Sequence, residues 1–316
     1  MGKGLLAGAL LVAALAVPLV APNAEYAIDV LFLIFLYGAL SAGWNIIGGF
    51  AGQVSFGHAA FLGIGAYTTA ILVQQNVPVA LAFCASGLLA AVYSLLIGLP
   101  CFRLSGPYFS IATIGIGEAT RLIALNWTSL TGGASGVTLP GAPPIVPQYY
   151  AALGLVVAAT LITIWIQRSR LGYALAAVRA DADAAQTLGV NTTIAKTQAL
   201  FISALIVGCA GSIYALHYLF ISPESVFGFS TSIALVIMPI IGGIGTVSGP
   251  LIGAVIYTFI REQLEANFQN LDLLAFGLLL IAIVLFEPRG LLGAYHRLTH
   301  RKPKTPAQRT TAATDG

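Results

Sequence analysis

Apolar residues in this chain come in long blocks, separated by short polar or glycine-rich interruptions. The blocks show neither the alternation of a half-buried strand nor the narrow stripe of a soluble amphipathic helix. A helix needs about 20 apolar residues to cross the ~30 Å hydrocarbon core of a bilayer. On that measure the candidate spans are residues 5–20, 27–47, 57–73, 79–99, 108–125, 149–166, 199–219, 229–241, 247–260 and 271–286. The eighth and ninth are short, and only Gly242, Gly243, Ile244, Gly245 and Thr246 lie between them. They read as one broken span, two half-inserted helices, or two passes meeting at a glycine-rich break. The predicted fold class is an all-α integral membrane protein: a polytopic bundle of about ten transmembrane helices, some short or broken at glycines.

Composition removes the soluble alternatives. Of 316 residues 58% are hydrophobic and mean hydropathy is +0.91. Charged residues are 8% of the chain, against about 25% in soluble domains. A free soluble enzyme, a disordered chain and a nucleic-acid binder are excluded. Cys84, Cys101 and Cys209 lie far apart in apolar runs and read as small apolar side chains.

Placed along the chain, the same charges orient it, because cytoplasmic loops carry the excess of Lys and Arg. Lys3, Arg103, the group Arg168, Arg170, Arg179 and Lys196, and the tail group Arg289, Arg297, Arg301, Lys302, Lys304 and Arg309 fall on one side. Glu25, Asp29, the uncharged loop 126–148 and Glu224 fall on the other. Arg121, within a span, and Arg261, in an outer loop, are the exceptions among the 14 basic residues. Both termini are then cytoplasmic, the number of crossings is even, and 229–260 reads as two passes. Lys3 and the run 5–20 also have the shape of a signal peptide, with Ala14-Leu15-Ala16 as its cleavage site, although the apolar run continues past it.

Glycine is abundant, at 35 residues. In lipid, small residues let helices pack closely, and Gly245, Gly249 and Gly253 share a helix face. The segment from Ile46 through Gly48, Gly49, Gly52, Gln53 and Ser55 echoes the one from Ile240 through Gly242, Gly243 and Gly245 to Ser248. Both join two apolar runs near the inner face. Interrupted helices in matching positions often flank a transport route. These residues, with His58, are therefore candidate pathway or gating positions, and ordinary close packing is the alternative for each. Glu118 and Arg121 form an intramembrane charge pair three residues apart, able to neutralise each other. The pair reads as a structural one facing the bundle interior or as a polar lining of the route.

Catalytic chemistry is missing. At Ala195-Lys196-Thr197 the glycines of a phosphate loop are replaced by Ala195 and Val190. Gly243-Ile244-Gly245-Thr246 lacks the third glycine of a dinucleotide fingerprint. His217, His296 and His300 have no metal-site spacing. No catalytic residue, metal or bound cofactor is expected. The largest inner loop, 167–198, holds a short helix that Asp181 caps and Gly189 ends. At about 10 Å it is too short to stand alone; a docking surface on another protein would hold it, with a surface helix lying on its own bundle as the alternative.

The run Gly43-Trp44-Asn45-Ile46-Ile47-Gly48-Gly49-Phe50-Ala51-Gly52-Gln53-Val54-Ser55-Phe56-Gly57-His58 resembles the LivM-type permeases of branched-chain amino-acid ABC importers. Gly106-Pro107-Tyr108-Phe109 with Glu118 to Leu122, Leu130 to Gly136, Ala185 through Gly189-Val190-Asn191 to Lys196, and Glu287-Pro288-Arg289-Gly290-Leu291 extend the resemblance over 27–292. It implies a transport subunit, not an enzyme, in the inner membrane, with ATP and Mg used by two cytoplasmic ATPase partners. It further implies a LivH-type permease partner and a periplasmic or lipid-anchored substrate-binding protein, with no nucleic acid. The coupling helix that docks on an ATPase is carried over to Asp181, Asp183, Ala185, Leu188 and Gly189. Residues 1–292 form the permease domain, with 167–198 as its coupling loop, and 293–316 are a basic tail near lipid headgroups. A urea or short-amide permease of the same family, and a stand-alone channel or secondary carrier, are the alternatives.

Overall fold

The computed structural model describes residues 2–20, 24–104, 106–141 and 143–267, together with Gly277 and Leu291. The tenth candidate span, the 287–291 motif as a whole and the basic tail lie outside the described residues. In chain order the helices are α1 (Gly2–Val20), α2 (Glu25–Asn45, continued by a π-helix at Ile46–Phe50), α3 (His58–Gln74), α4 (Val79–Cys101), α5 (Pro107–Asn126), α6 (Thr128–Thr131), α7 (Ile145–Arg168), α8 (Arg170–Ala180), α9 (Ala182–Thr187), α10 (Thr192–Tyr218), α11 (Pro223–Phe227), α12 (Phe229–Gly242) and α13 (Gly249–Asn267). The fold is all-α and polytopic. Among the described residues five segments, Glu25–Phe50, Val79–Cys101, Ile145–Arg168, Thr192–Tyr218 and Pro223–Gly242, are long and apolar enough to cross a membrane.

Helix α10 is the hub and packs against α2, α3, α4 and α7. Hydrophobic drive between helices is weak in lipid, so close backbone approach has to hold them. Gly65 of α3 lies directly on the backbone of Gly208 in α10, where any side chain would overlap it. Helix α1 lies at the edge, where the Tyr149 and Tyr150 hydroxyls of α7 donate to the Ala14 and Leu15 carbonyls (2.7 and 3.2 Å).

Residues 229–260 form two helices packed on each other, not a single broken rod. Gly242 sits on the Gly249 carbonyl and Gly253 on the Met238 carbonyl, an antiparallel register with no room for a Cβ at either glycine. Thr246 caps α13: its hydroxyl accepts from Gly249 N (3.0 Å) and donates to Gly243 O (2.7 Å). Helix α13 then runs past the expected end of the apolar block, so Arg261 is helical and not in an outer loop. The sequence Arg261-Glu262-Gln263-Leu264-Glu265 consists of good helix formers, and polarity alone does not stop a helix.

The loops 126–148 and 220–228 are joined. Strands β1 (Val137–Thr138) and β2 (Phe220–Ile221) pair antiparallel, and Leu139 N donates to Leu219 O (2.7 Å). Ser222 and Ser225 form a reciprocal capping box at α11.

Candidate functional site

The site is where the two glycine breaks meet. Asn45 ends α2, fully buried in an apolar run. Its side-chain amide donates to Thr246 O (2.9 Å) and its carbonyl oxygen accepts from Gly245 N (2.8 Å). One side chain thus supplies two of the backbone partners that the unwound second break needs at membrane depth. The widened π-turn follows directly, a form common at functional positions. Gly48 lies under the Trp44 ring, where a Cβ would push that ring aside, and Gly49 lies against the Asn45 amide and Gly245 N, where a Cβ would displace the other break.

Arg179, near the end of α8, reaches the same point. Its Nη1 donates to Gly49 O (2.5 Å), and its side chain packs over Gly52 and Gly245, both at positive φ (70° and 76°). The segment after the first break is tied elsewhere too. Ser110 donates to Val54 O (2.7 Å), and Thr113 accepts from Phe56 N (3.1 Å), both from α5. Trp44 donates to Ser55 O (2.7 Å). The Gln53 side-chain oxygen is buried without a hydrogen-bond partner.

His58 is wholly buried. Ser203 donates to Gly43 O (2.7 Å), so its oxygen receives the proton of His58 Nε2 (2.9 Å). Ser55 accepts from Gly57 N (3.3 Å) and donates to His58 Nδ1 (2.9 Å). A neutral imidazole protonated on Nε2 uses every position in this network. The ring bolts the start of α3 to α10.

Helices α8 and α9 form the inner loop. Asp181 caps α9, accepting from Asp183 N (2.9 Å) and Ala184 N (3.0 Å). Gly189 ends it at φ 88°, with Gly189 N on Gln186 O (2.9 Å) and Val190 N on Ala185 O (3.0 Å). Ala185 faces the protein's own bundle, and Leu188 is 83% exposed. Replacing Asp181 by alanine should fray α9, at a cost of about 1 kcal/mol, read as faster amide exchange at Asp183 and Ala184.

Glu118 and Arg121 do pair, through Nε–Oε2 (2.9 Å) and Nη2–Oε1 (2.6 Å). They do not face the bundle interior. The pair lies on the exposed face of α5, and Arg121 Nη1 also reaches Glu224 of α11 (2.8 Å). Thr113, Gly117 and Thr120 fill the inward face of that helix, which turns 118 and 121 outward. The structure therefore brings together the two glycine segments, Gln53, Ser55 and His58, with α9 one helix away through Arg179. It leaves the charge pair apart from them. Asn45 and Arg179 escape sequence reasoning. A polar residue in an otherwise apolar span was the available signal for Asn45.

Among the described residues no group of His, Cys, Asp and Glu is arranged to hold a metal ion. Residues 26–284 match the protein family described as branched-chain amino acid transport system / permease component. The LivM permease protein of the high-affinity branched-chain amino acid transport system in Salmonella typhimurium is 31% identical over 319 residues, covering 90% of this chain and 73% of that one. Its Escherichia coli counterpart is 31% identical over 322 residues with the same coverage. The LivH permease protein of Salmonella typhimurium is 26% identical over 294 residues, 81% of this chain and 91% of that one. No solved structure matches the chain. With a family match over most of its length and a bundle of close-packed apolar helices, this chain belongs to the branched-chain amino acid transport permeases, multi-pass membrane proteins of transport systems.

Proposed function

We propose that the chain is the permease subunit of an ATP-driven importer of branched-chain amino acids in the inner membrane, with both termini cytoplasmic. ATP and Mg are used by two separate ATPase subunits. A LivH-type permease completes the membrane pore, and a periplasmic or lipid-anchored binding protein delivers substrate to the joined outer loops. The observation that carries this reading is the Arg179–Gly49 hydrogen bond. It links the α8–α9 loop to the paired breaks by one side chain, so a push on α9 is felt where the helices are interrupted. Leu188 is the exposed apolar knob for an ATPase groove, with Asp181 and Asp183 beside it. The Glu118 face of α5 suits the permease partner, because a carboxylate left against lipid costs about 2.5–3.5 kcal/mol on insertion scales.

Reconstitution tests this. Proteoliposomes with the chain, its permease partner and ATPases should accumulate leucine only with ATP and loaded binding protein. Leucine movement by the purified chain alone would overturn the reading in favour of a carrier. In the full complex, Leu188→Glu should lower uptake about tenfold or more, since burying a leucine contributes about 1.5–3 kcal/mol. Unchanged uptake would move the coupling contact elsewhere.

A further inference from the structure

A groove of about 440 Å³ lies where α7 ends and α10 begins, between α4, α7, α8 and α10. None of its lining residues belongs to the glycine junction. Leu95, Phe201 and Ile202 give it an apolar wall. Leu96 and Leu161, exposed on the flanking helices, place it on the outside of the bundle. Trp165 lines it too and is 61% exposed. Arg168 follows Trp165 by three residues, on the same face at the end of α7. Arg170 opens α8 beside Leu171, another lining residue. Both arginines are exposed, and among the described residues neither pairs with a carboxylate. The lining residue Thr197 carries a buried hydroxyl with no hydrogen-bond partner among the described residues.

Three properties select an occupant. The wall is apolar and faces outward, which suits a hydrocarbon chain. One end is cationic, and basic pockets between membrane helices hold anionic lipid headgroups, whose phosphate oxygens match the fork of an arginine. Between the two lies a tryptophan, the side chain that sits at headgroup level. The positive end of the α8 dipole falls at the same place as the arginines. We infer that this groove is a binding site for an anionic phospholipid, its phosphate on Arg168 and Arg170 and one acyl chain along Leu95, Phe201 and Ile202. Turned about χ1, the Thr197 hydroxyl donates to an ester carbonyl of that lipid. A second protein is the rival occupant. It would have to bury two arginines, which is costly unless it brings carboxylates to both. A phospholipid brings the anion and the hydrocarbon in one molecule. The inference goes beyond the permease reading and needs from it only that the chain lies in a membrane.

The test uses the complete complex in proteoliposomes that contain bromine-labelled phosphatidylglycerol or bromine-labelled phosphatidylcholine. Bromine quenches tryptophan fluorescence on contact, and the difference between wild type and Trp165→Phe isolates the signal of Trp165. That signal should be quenched at about fivefold or more lower content of the anionic lipid than of the zwitterionic one, roughly the contribution of one basic residue at a membrane surface. Arg168→Gln with Arg170→Gln, both at exposed positions, should abolish the preference. Leu95→Phe, which enlarges a wall residue and leaves both arginines in place, should weaken quenching by the anionic lipid. Equal quenching by the two lipids overturns the inference in favour of ordinary surrounding lipid. Quenching by neither overturns it in favour of a protein covering the groove. A preference that survives the double arginine variant, or anionic quenching unchanged in Leu95→Phe, overturns it as well. The readout involves no transport, so a complex that moves no leucine counts against the permease reading alone.

Discussion

Gly242→Val should leave little folded protein in the membrane. A Cβ at 242 overlaps the Gly249 carbonyl and stands 2.8 Å from Gly253 N, so the clash is with backbone that has no rotamer to change. Overpacking a core commonly costs about 1–3 kcal/mol when side chains can move aside. Here α12 and α13 must separate as whole helices, and the cost lies above that range. Separation also carries Gly245 and Thr246 away from Asn45, so the damage spreads to the junction. Monodisperse protein after detergent extraction measures this, and the expected result is a loss of at least tenfold against wild type. Gly154→Val in α7, where no atom lies within 4 Å of the new Cβ, is the control that should extract normally. Equal yields for the two variants would refute the backbone-on-backbone packing of α12 and α13.

Asn45→Leu should have the second largest effect, and on transport more than on folding. The substitution keeps the branched shape but leaves Gly245 N and Thr246 O without partners. Each buried group left unsatisfied costs about 1–3 kcal/mol, so the two together favour separation of the breaks by roughly 2–6 kcal/mol. The expected readings are faster amide exchange at Gly245 and leucine uptake reduced about 100-fold in the complete complex. Asn45→Gln offers the same amide one carbon further out and should recover part of both. Amide exchange at Gly245 unchanged in Asn45→Leu would show that something else holds the breaks together.

How much of this was legible beforehand follows from how each feature is recorded. A membrane helix is written as local hydropathy, so the apolar blocks found nine of the helices, with ends misplaced where polar helix formers follow, as at Arg261 and before Ala199. Helix α8 went unread because its apolar residues Leu171, Leu175 and Val178 are few and lie in a basic loop. The strands β1 and β2 are two residues each and carry no pattern at all. The caps at Asp181 and Gly189 were legible, since capping is local chemistry. For Glu118 and Arg121 the spacing told that they pair but not which way they face. The junction was half legible: the two glycine segments echo each other, but their contact joins positions 200 apart through Asn45, and no local pattern records that.

The clasp at Asn45 also decides how these helices can move. It pins the end of α2 to the turn that closes α12, and among the described residues no comparable hydrogen bond ties their far ends to each other. Two rods pinned at one end move like shears. Helix α12, with 14 residues, is about 21 Å long. A swing of about 10° about the pin would shift its distant end by roughly 3–4 Å over that length while the pinned end barely stirs. Small rotations delivered at the clasp are therefore magnified at the opposite end, beside Ser230 and Thr231, and the fulcrum is an amide side chain.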